Sequence, residues 1–174
     1  DALIGTLIGT RGDMVTFIIG TSTGARAYAG TLFVGGVAVV GRVGELGRVE
    51  GNFKPDTAFY PGKHLGLKQT ISTAGFTSTI LDDTALSTGT HILFAHVMQY
   101  TTGTPAISLK SATASGDVAT GTSHGSASFT AIGSTAISFT GTLNRFVRIE
   151  TTFGGSPSGT LVFATSYVRS RKER

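Results

Sequence analysis

The chain has 174 residues and no cysteine, which excludes disulfides, thiolate catalysis and any zinc site built on Cys. Charged residues make up 14% of it, against about 25% in an average globular domain, while glycine contributes 25 residues and Ser and Thr fill most other polar positions. Much of the formal net charge of +4 sits in Arg169, Arg171, Lys172 and Arg174, so the body is near neutral and carries no uniform basic nucleic-acid surface.

A chain of this length buries roughly two-thirds of its unfolded surface and needs no metal or disulfide staple. A monomer that must stay dissolved alone usually carries more surface charge than this, with a secreted or thermally robust β-protein as the other reading. A subunit covered by its neighbours needs less. Helical periodicity is almost absent, because Gly, Thr and Ser recur too often and β-branched residues dominate the rest.

Taken in chain order, residues 1–5 lack the basic region of a signal peptide and an initiator Met, which points to a processed or trimmed chain. Residues 14–19 and 30–43 read as strands. The most apolar stretch, 32–43, is cut by Gly35, Gly36, Gly41 and Arg42, far short of the roughly 18 apolar residues of a membrane span. Residues 44–53 read as another strand, with Val49 inward and Arg48 and Glu50 outward. Residues 54–66 hold Pro55 and Pro61 and read as loop, and 78–87 as a short helix or structured loop. A weak seam at 85–89 divides an irregular β half (1–86) from a β-sandwich half (87–170). No composition break separates independent domains, so 1–174 reads as one domain, and no fixed-period repeat is present.

The second half is more regular. In 90–100, Ile92, Phe94, His96, Met98 and Tyr100 share one face while Leu93, Ala95 and Val97 take the other, the pattern of a central strand covered on both sides. Ile107 and Leu109, then Ala127, Phe129 and Ala131, then Ile137 and Phe139, then Val147, Ile149 and Thr151 each alternate with polar neighbours. Residues 161–168 close a set of six strands. The clusters at 115–117, 123–125 and 154–159 read as turns. The fold class expected is all-β, an antiparallel sandwich or jelly roll with Gly/Ser/Thr-rich loops and at most one short helix.

No constellation for chemistry is evident. His91 and His96, five apart in one strand, face opposite sides and cannot chelate one metal. His96 reads as a hydrogen-bonded core histidine, and His64 and His124 as surface histidines in loops. Adjacent Asp82 and Asp83 point apart and suit a cap or turn. Glu45, Glu50, Asp56 and Glu150 show no pairing of the kind glycoside hydrolysis needs. No serine sits in a nucleophile elbow, and no glycine-rich phosphate cradle is present. Arg11-Gly12-Asp13 is read as a turn rather than an adhesion motif. The basic tail 169–174 reads as a frayed, solvated terminus, with charge-driven contact to nucleic acid or an acidic neighbour as the other reading.

Residues 79–169 resemble tailed-bacteriophage virion proteins, most of all the major tail (tail tube) proteins of siphophages. The features that carry the likeness are Ile80-Leu81-Asp82-Asp83, the apolar strand 91–97, the strand 106–112, the block Gly141-Thr142-Leu143-Asn144-Arg145-Phe146-Val147-Arg148-Ile149, and Thr160 to Ala164 after a Gly/Ser turn. The block 141–149 is the most diagnostic and is expected to form an edge or near-edge strand with outward arginines. The resemblance implies a non-enzymatic virion subunit without cofactors that self-assembles into stacked rings of the tube conducting DNA. Its partners would be further copies of itself, other virion proteins and, transiently and non-specifically, the passing DNA; no membrane is involved. Capsid decoration is the nearest other role. From another class, a carbohydrate- or cell-surface-binding jelly roll remains, though the chain has no Trp and few Tyr for sugar stacking. Candidate assembly contacts are Arg48, Glu50, Arg145, Arg148, Arg169 and Arg171.

Overall fold

The fold is that of a computed structural model describing residues 13–20, 22–40, 48–56, 59–71, 75–101, 103–154 and 160–169. Twelve strands are present among them: β1 (Asp13–Ile19), β2 (Arg26–Val40), β3 (Arg48–Pro55), β4 (Tyr60–Ile71), β5 (Gly75–Thr77), β6 (Leu81–Asp82), β7 (Ser87–Tyr100), β8 (Thr104–Ala112), β9 (Thr122–Ser128), β10 (Gly133–Leu143), β11 (Phe146–Gly154) and β12 (Leu161–Val168). The single helical element described is one 3-10 turn, Ser115–Asp117. The chain is an all-β, sandwich-like fold, as its composition demands.

Two antiparallel sheets form. The larger runs β1-β2-β4-β12-β7-β10, with β3 also paired to β2. The smaller runs β5-β11-β8-β9, with β6 also paired to β11. Strands from both sides of 85–89 enter both sheets. The main core lies between the sheets. Leu65, Leu93, Ala95, Val97, Leu161 and Phe163 from the larger sheet meet Ile107, Leu109, Val147 and Ile149 from the smaller one. A second, smaller cluster joins Phe94 and Val168 to Ala29, with Met14 and Ile92 packed against it. β7 is therefore covered on both faces, as its two apolar registers require.

The larger sheet curls strongly. β1 and β7 are four strands apart in its order, yet Thr16 Oγ1 lies 2.8 Å from His96 Nε2 and 3.4 Å from Ser166 Oγ. Rolling the β1 end over the outer face of β7 and β12 makes those contacts and closes the second cluster.

Three local expectations are corrected, and a fourth, the short helix or structured loop at 78–87, resolves to its loop reading. Residues 54–66 are not one loop, because β3 continues to Pro55 and β4 begins at Tyr60. The two prolines sit at or next to strand ends, where a missing N–H is tolerated. Residues 78–87 form no helix. Asp82 Oδ1 accepts the Thr84 N–H at 2.9 Å, and Thr84 takes φ +63°, which makes a tight polar turn instead. The expected turn at 123–125 lies inside β9. There His124 and Gly125 together stand opposite Leu109, a β-bulge that Gly125 permits at φ +97°. The bulge resets the alternation so that both His124 and Ala127 point inward. Finally, Tyr100 leaves the Ile92/Phe94 face. A register shift at Met98 turns its ring to the main core.

Phe163 is fully buried and touches the edge of Phe76 at 5.8 Å between centroids. Truncating it to alanine removes apolar contact and leaves a cavity, so Phe163→Ala is expected to lower stability by about 3–5 kcal/mol, read as a shift in the urea midpoint.

Candidate functional site

The polar centre of the molecule is Asp83, buried in the connection between β6 and β7. Its backbone N–H donates to the Arg145 carbonyl at 3.0 Å. Lys63 of β4 donates to Oδ1, while the Tyr167 hydroxyl and Arg169 Nε both donate to Oδ2. Arg169 then reaches further. Its Nη1 donates to the Leu143 carbonyl at 2.7 Å and to Ser87 Oγ at 3.0 Å, and its Nη2 to the Asn144 carbonyl at 2.6 Å. One guanidinium thus clamps the β6–β7 connection to the β10–β11 turn. Burial alone would raise the Asp83 carboxyl, but the donors Lys63, Tyr167 and Arg169 outweigh it and hold it below the ordinary carboxylate range. Tyr167 is pushed up by burial and by the Asp83 charge beside it.

Asp82 points the opposite way, as adjacent aspartates should. It is exposed and takes Arg145 Nε and Nη2 in a two-pronged pair, each at 2.6 Å. That pair and the Thr84 N–H bring its carboxyl down to about 2. On the outer face of the smaller sheet, Glu150 pairs with Arg148 and with Lys110 at 2.9 Å.

The histidines are interior groups. His91 and His124 lie on Phe139, with ring centroids 5.2 and 5.0 Å away. The Gly141 carbonyl lies 3.1 Å from His91 Nε2 and can only accept, so that nitrogen carries the proton. Ser111 Oγ accepts the Asn144 N–H at 3.1 Å and shares a hydrogen bond with His124 Nε2 at 2.6 Å. His96 bonds Thr16 and Ser134, in line with a hydrogen-bonded histidine on that face. His64 and His124, expected on surface loops, are buried in β4 and β9. His91 and His96 do face opposite sides. Neither Ser–His contact, Ser111 with His124 or Ser134 with His96, has a carboxylate on the second ring nitrogen among the described residues, as an acyl-transfer relay requires. Nor do any three His, Asp or Glu side chains among them converge on a metal-sized site.

The third feature is a set of open sheet edges. β10 pairs with β7 over eleven residues without a register shift, and no described strand covers its other side. It contains no charge and no proline. At the far end of the same sheet β3, paired only with β2, is one edge and β1 is another. Phe17 and Ile19 on it are 50% and 61% exposed, beside an apolar groove of about 370 Å³ lined by Phe17, Tyr28, Leu32, Pro55 and Phe59.

The six residues named from sequence fall in different places. Arg145, Arg148 and Arg169 are each engaged within the chain, and Arg169 is a clamp rather than part of a frayed end. β11 lies one strand in from the sheet margin, with Arg148 on its outer face. Arg48 and Glu50 stand in β3 opposite Val40 and Ala38. Arg171 lies outside the described residues, as do Arg11 and Gly12 of the RGD tripeptide. Lys63 and Tyr167 were missed from sequence. The usable signal was Asp82-Asp83, two adjacent carboxylates in a charge-poor chain that point apart, so that the one turned inward, Asp83, calls for partners elsewhere. Comparison with protein families, with curated proteins and with solved structures returns no match.

Two outcomes follow from the polar network. Asp83→Asn leaves Lys63 and Arg169 facing each other without a counter-charge, and is expected to cost about 3–5 kcal/mol in urea unfolding. The histidines give a second. Burial pushes His91, His96 and His124 below the ordinary value of 6.5, with the Arg169 charge adding to the effect at His91 and His124. The unfolded chain therefore binds more protons than the folded one below that value. Their contribution is complete above 6.5 and is lost as pH falls through the lowered folded values. The urea midpoint should drop between about pH 7.5 and about pH 5, and the drop should shrink in His124→Gln.

Proposed function

We propose that this chain is a non-enzymatic structural subunit that assembles with copies of itself by joining sheet edges, and that it does so in the particle of a tailed bacteriophage as the repeating unit of the tail tube. The observation that carries the reading is the β10 edge: eleven residues, unbulged, uncharged and without proline. Edge strands of solitary β proteins are normally blunted by charge, proline, bulges or shortness, because an open row of N–H and C=O groups templates pairing with another chain. β10 has none of these devices.

The opposite margin supports the same reading. β1 and β10 are edges at opposite ends of one sheet. Pairing the β10 edge of one copy with the β1 edge of the next continues the sheet from copy to copy. Such a head-to-tail contact closes into a ring when its rotation divides the circle. The exposed apolar Phe17 and Ile19 on β1 would then be covered. A wall poor in charge suits a conduit that must let DNA pass without holding it. The phage assignment within this class rests on the resemblance of residues 79–169.

Negative-stain electron microscopy across a concentration series tests the reading. The wild-type chain is expected to form hollow tubes with a regular axial repeat. Ser138→Lys puts a charge on the exposed face of β10 without touching the core, and should leave a folded protein, by circular dichroism, that forms none. Wild-type monomers at every concentration, or tubes unchanged by Ser138→Lys, would overturn it. Monomers that coat empty capsids would mark a decoration protein, and monomers that bind a glycan a recognition module.

A further inference from the structure

One cluster of charge is left unbalanced. Arg26 of β2 and Lys63 of β4 are directly opposed across the ladder. Like charges facing each other in this way destabilise a sheet. Both line a single cleft of about 260 Å³, together with Arg169, Asp83 and Tyr167. Three cations therefore share one carboxylate, an excess of two positive charges.

The cleft's own groups do not remove the excess. Asp83 has both oxygens occupied, Oδ1 by Lys63 and Oδ2 by Tyr167 and Arg169. Arg169 turns its remaining N–H groups inward to the Leu143 and Asn144 carbonyls and Ser87. Lys63 is 41% exposed at its side chain and has two further protons to donate. Arg26 is exposed, and no ion pair joins it to an acidic side chain among the described residues. What faces solvent is thus one guanidinium fork and one ammonium, converging from neighbouring strands over a buried, already neutralised floor.

We propose that this cleft is an oxyanion site, in which a phosphate or carboxylate group is held between the Arg26 guanidinium and the Lys63 ammonium. The chemistry selects the ligand. A planar fork with parallel N–H groups matches two oxygens of one oxyanion, and the ammonium adds a point charge to a third or shared oxygen. A cation is repelled, and an apolar group would strand the donors. The occupant also relieves the Arg26–Lys63 repulsion, so binding and fold stability are linked. Its source is either a free anion or an acidic side chain of a second copy of the chain.

The test is thermal unfolding of the full chain titrated with inorganic phosphate, and separately acetate, at ionic strength held constant with chloride. A ligand that binds only the folded state raises the midpoint with a saturable dependence. Saturation is expected near about 1 mM, with affinity about tenfold weaker in Arg26→Gln, whose exposed side chain leaves the Asp83 network intact. Equal stabilisation of wild type and Arg26→Gln, or no saturable effect of either anion on the wild type, would overturn the proposal. Sedimentation velocity on the same samples separates the sources. Loss of higher-order species on adding phosphate to the wild type, but not to Arg26→Gln, shows that a neighbour's carboxylate fills the cleft. Unchanged size with saturable stabilisation shows a free anion. Tube formation in the microscope is a separate outcome, so the site and the assembly reading fail or stand independently.

Discussion

A charge-poor β fold that buries a carboxylate must surround it with donors, and the placement of those donors then dictates how its strand ends meet. Asp83 is that carboxylate. Its partners come from β4, from the end of β12 and, through Arg169, from β7, β10 and the turn into β11. The two sheets share an apolar core, but apolar contact is non-directional and tolerates sliding. Charged hydrogen bonds are directional, and removing one partner exposes the others to the full desolvation cost. The Asp83–Arg169 clamp therefore ties the β6–β7 connection and the β10–β11 turn to the ends of β4 and β12.

Polar groups sit within the apolar interior, and one long edge carries no charge. Buried His64, His91, His124, Ser111, Thr165 and Asp83 lie inside. The long outer edge β10 is uncharged. Interior polar groups favour one packing because each needs a particular partner. Uncharged edges favour association because nothing repels an incoming strand. Together they suit a rigid unit that meets its own copies, which is the physical content of the assembly proposal. The exception is the Arg26–Lys63 pair, a local conflict of like charges, and conflicts of that kind gather at sites with a ligand.

Bulges do much of the fine positioning. The extra residue at Gly125 turns His124 inward onto Phe139 and Ser111, and the shift at Met98 redirects Tyr100 into the main core. In a strand of period two, one inserted residue exchanges the faces of everything beyond it. Two such insertions account for where two of the polar or aromatic side chains were misplaced by simple alternation.

The sequence by itself determined the all-β class, because Gly, Ser, Thr and β-branched residues leave no helix to propagate. It also determined the inward faces of β8 and β11, where Ile107, Leu109, Val147 and Ile149 alternate cleanly and are fully buried. It placed His91 and His96 on opposite faces by parity alone. What only the tertiary structure decided is every contact made across long separations. Arg169 and Asp83 are 86 residues apart, Tyr167 and Asp83 are 84, and Thr16 and His96 are 80. Alternation carries information over a few neighbouring residues. The curl of a sheet and the partner of a buried charge depend on which strands lie side by side, and no local pattern encodes that order.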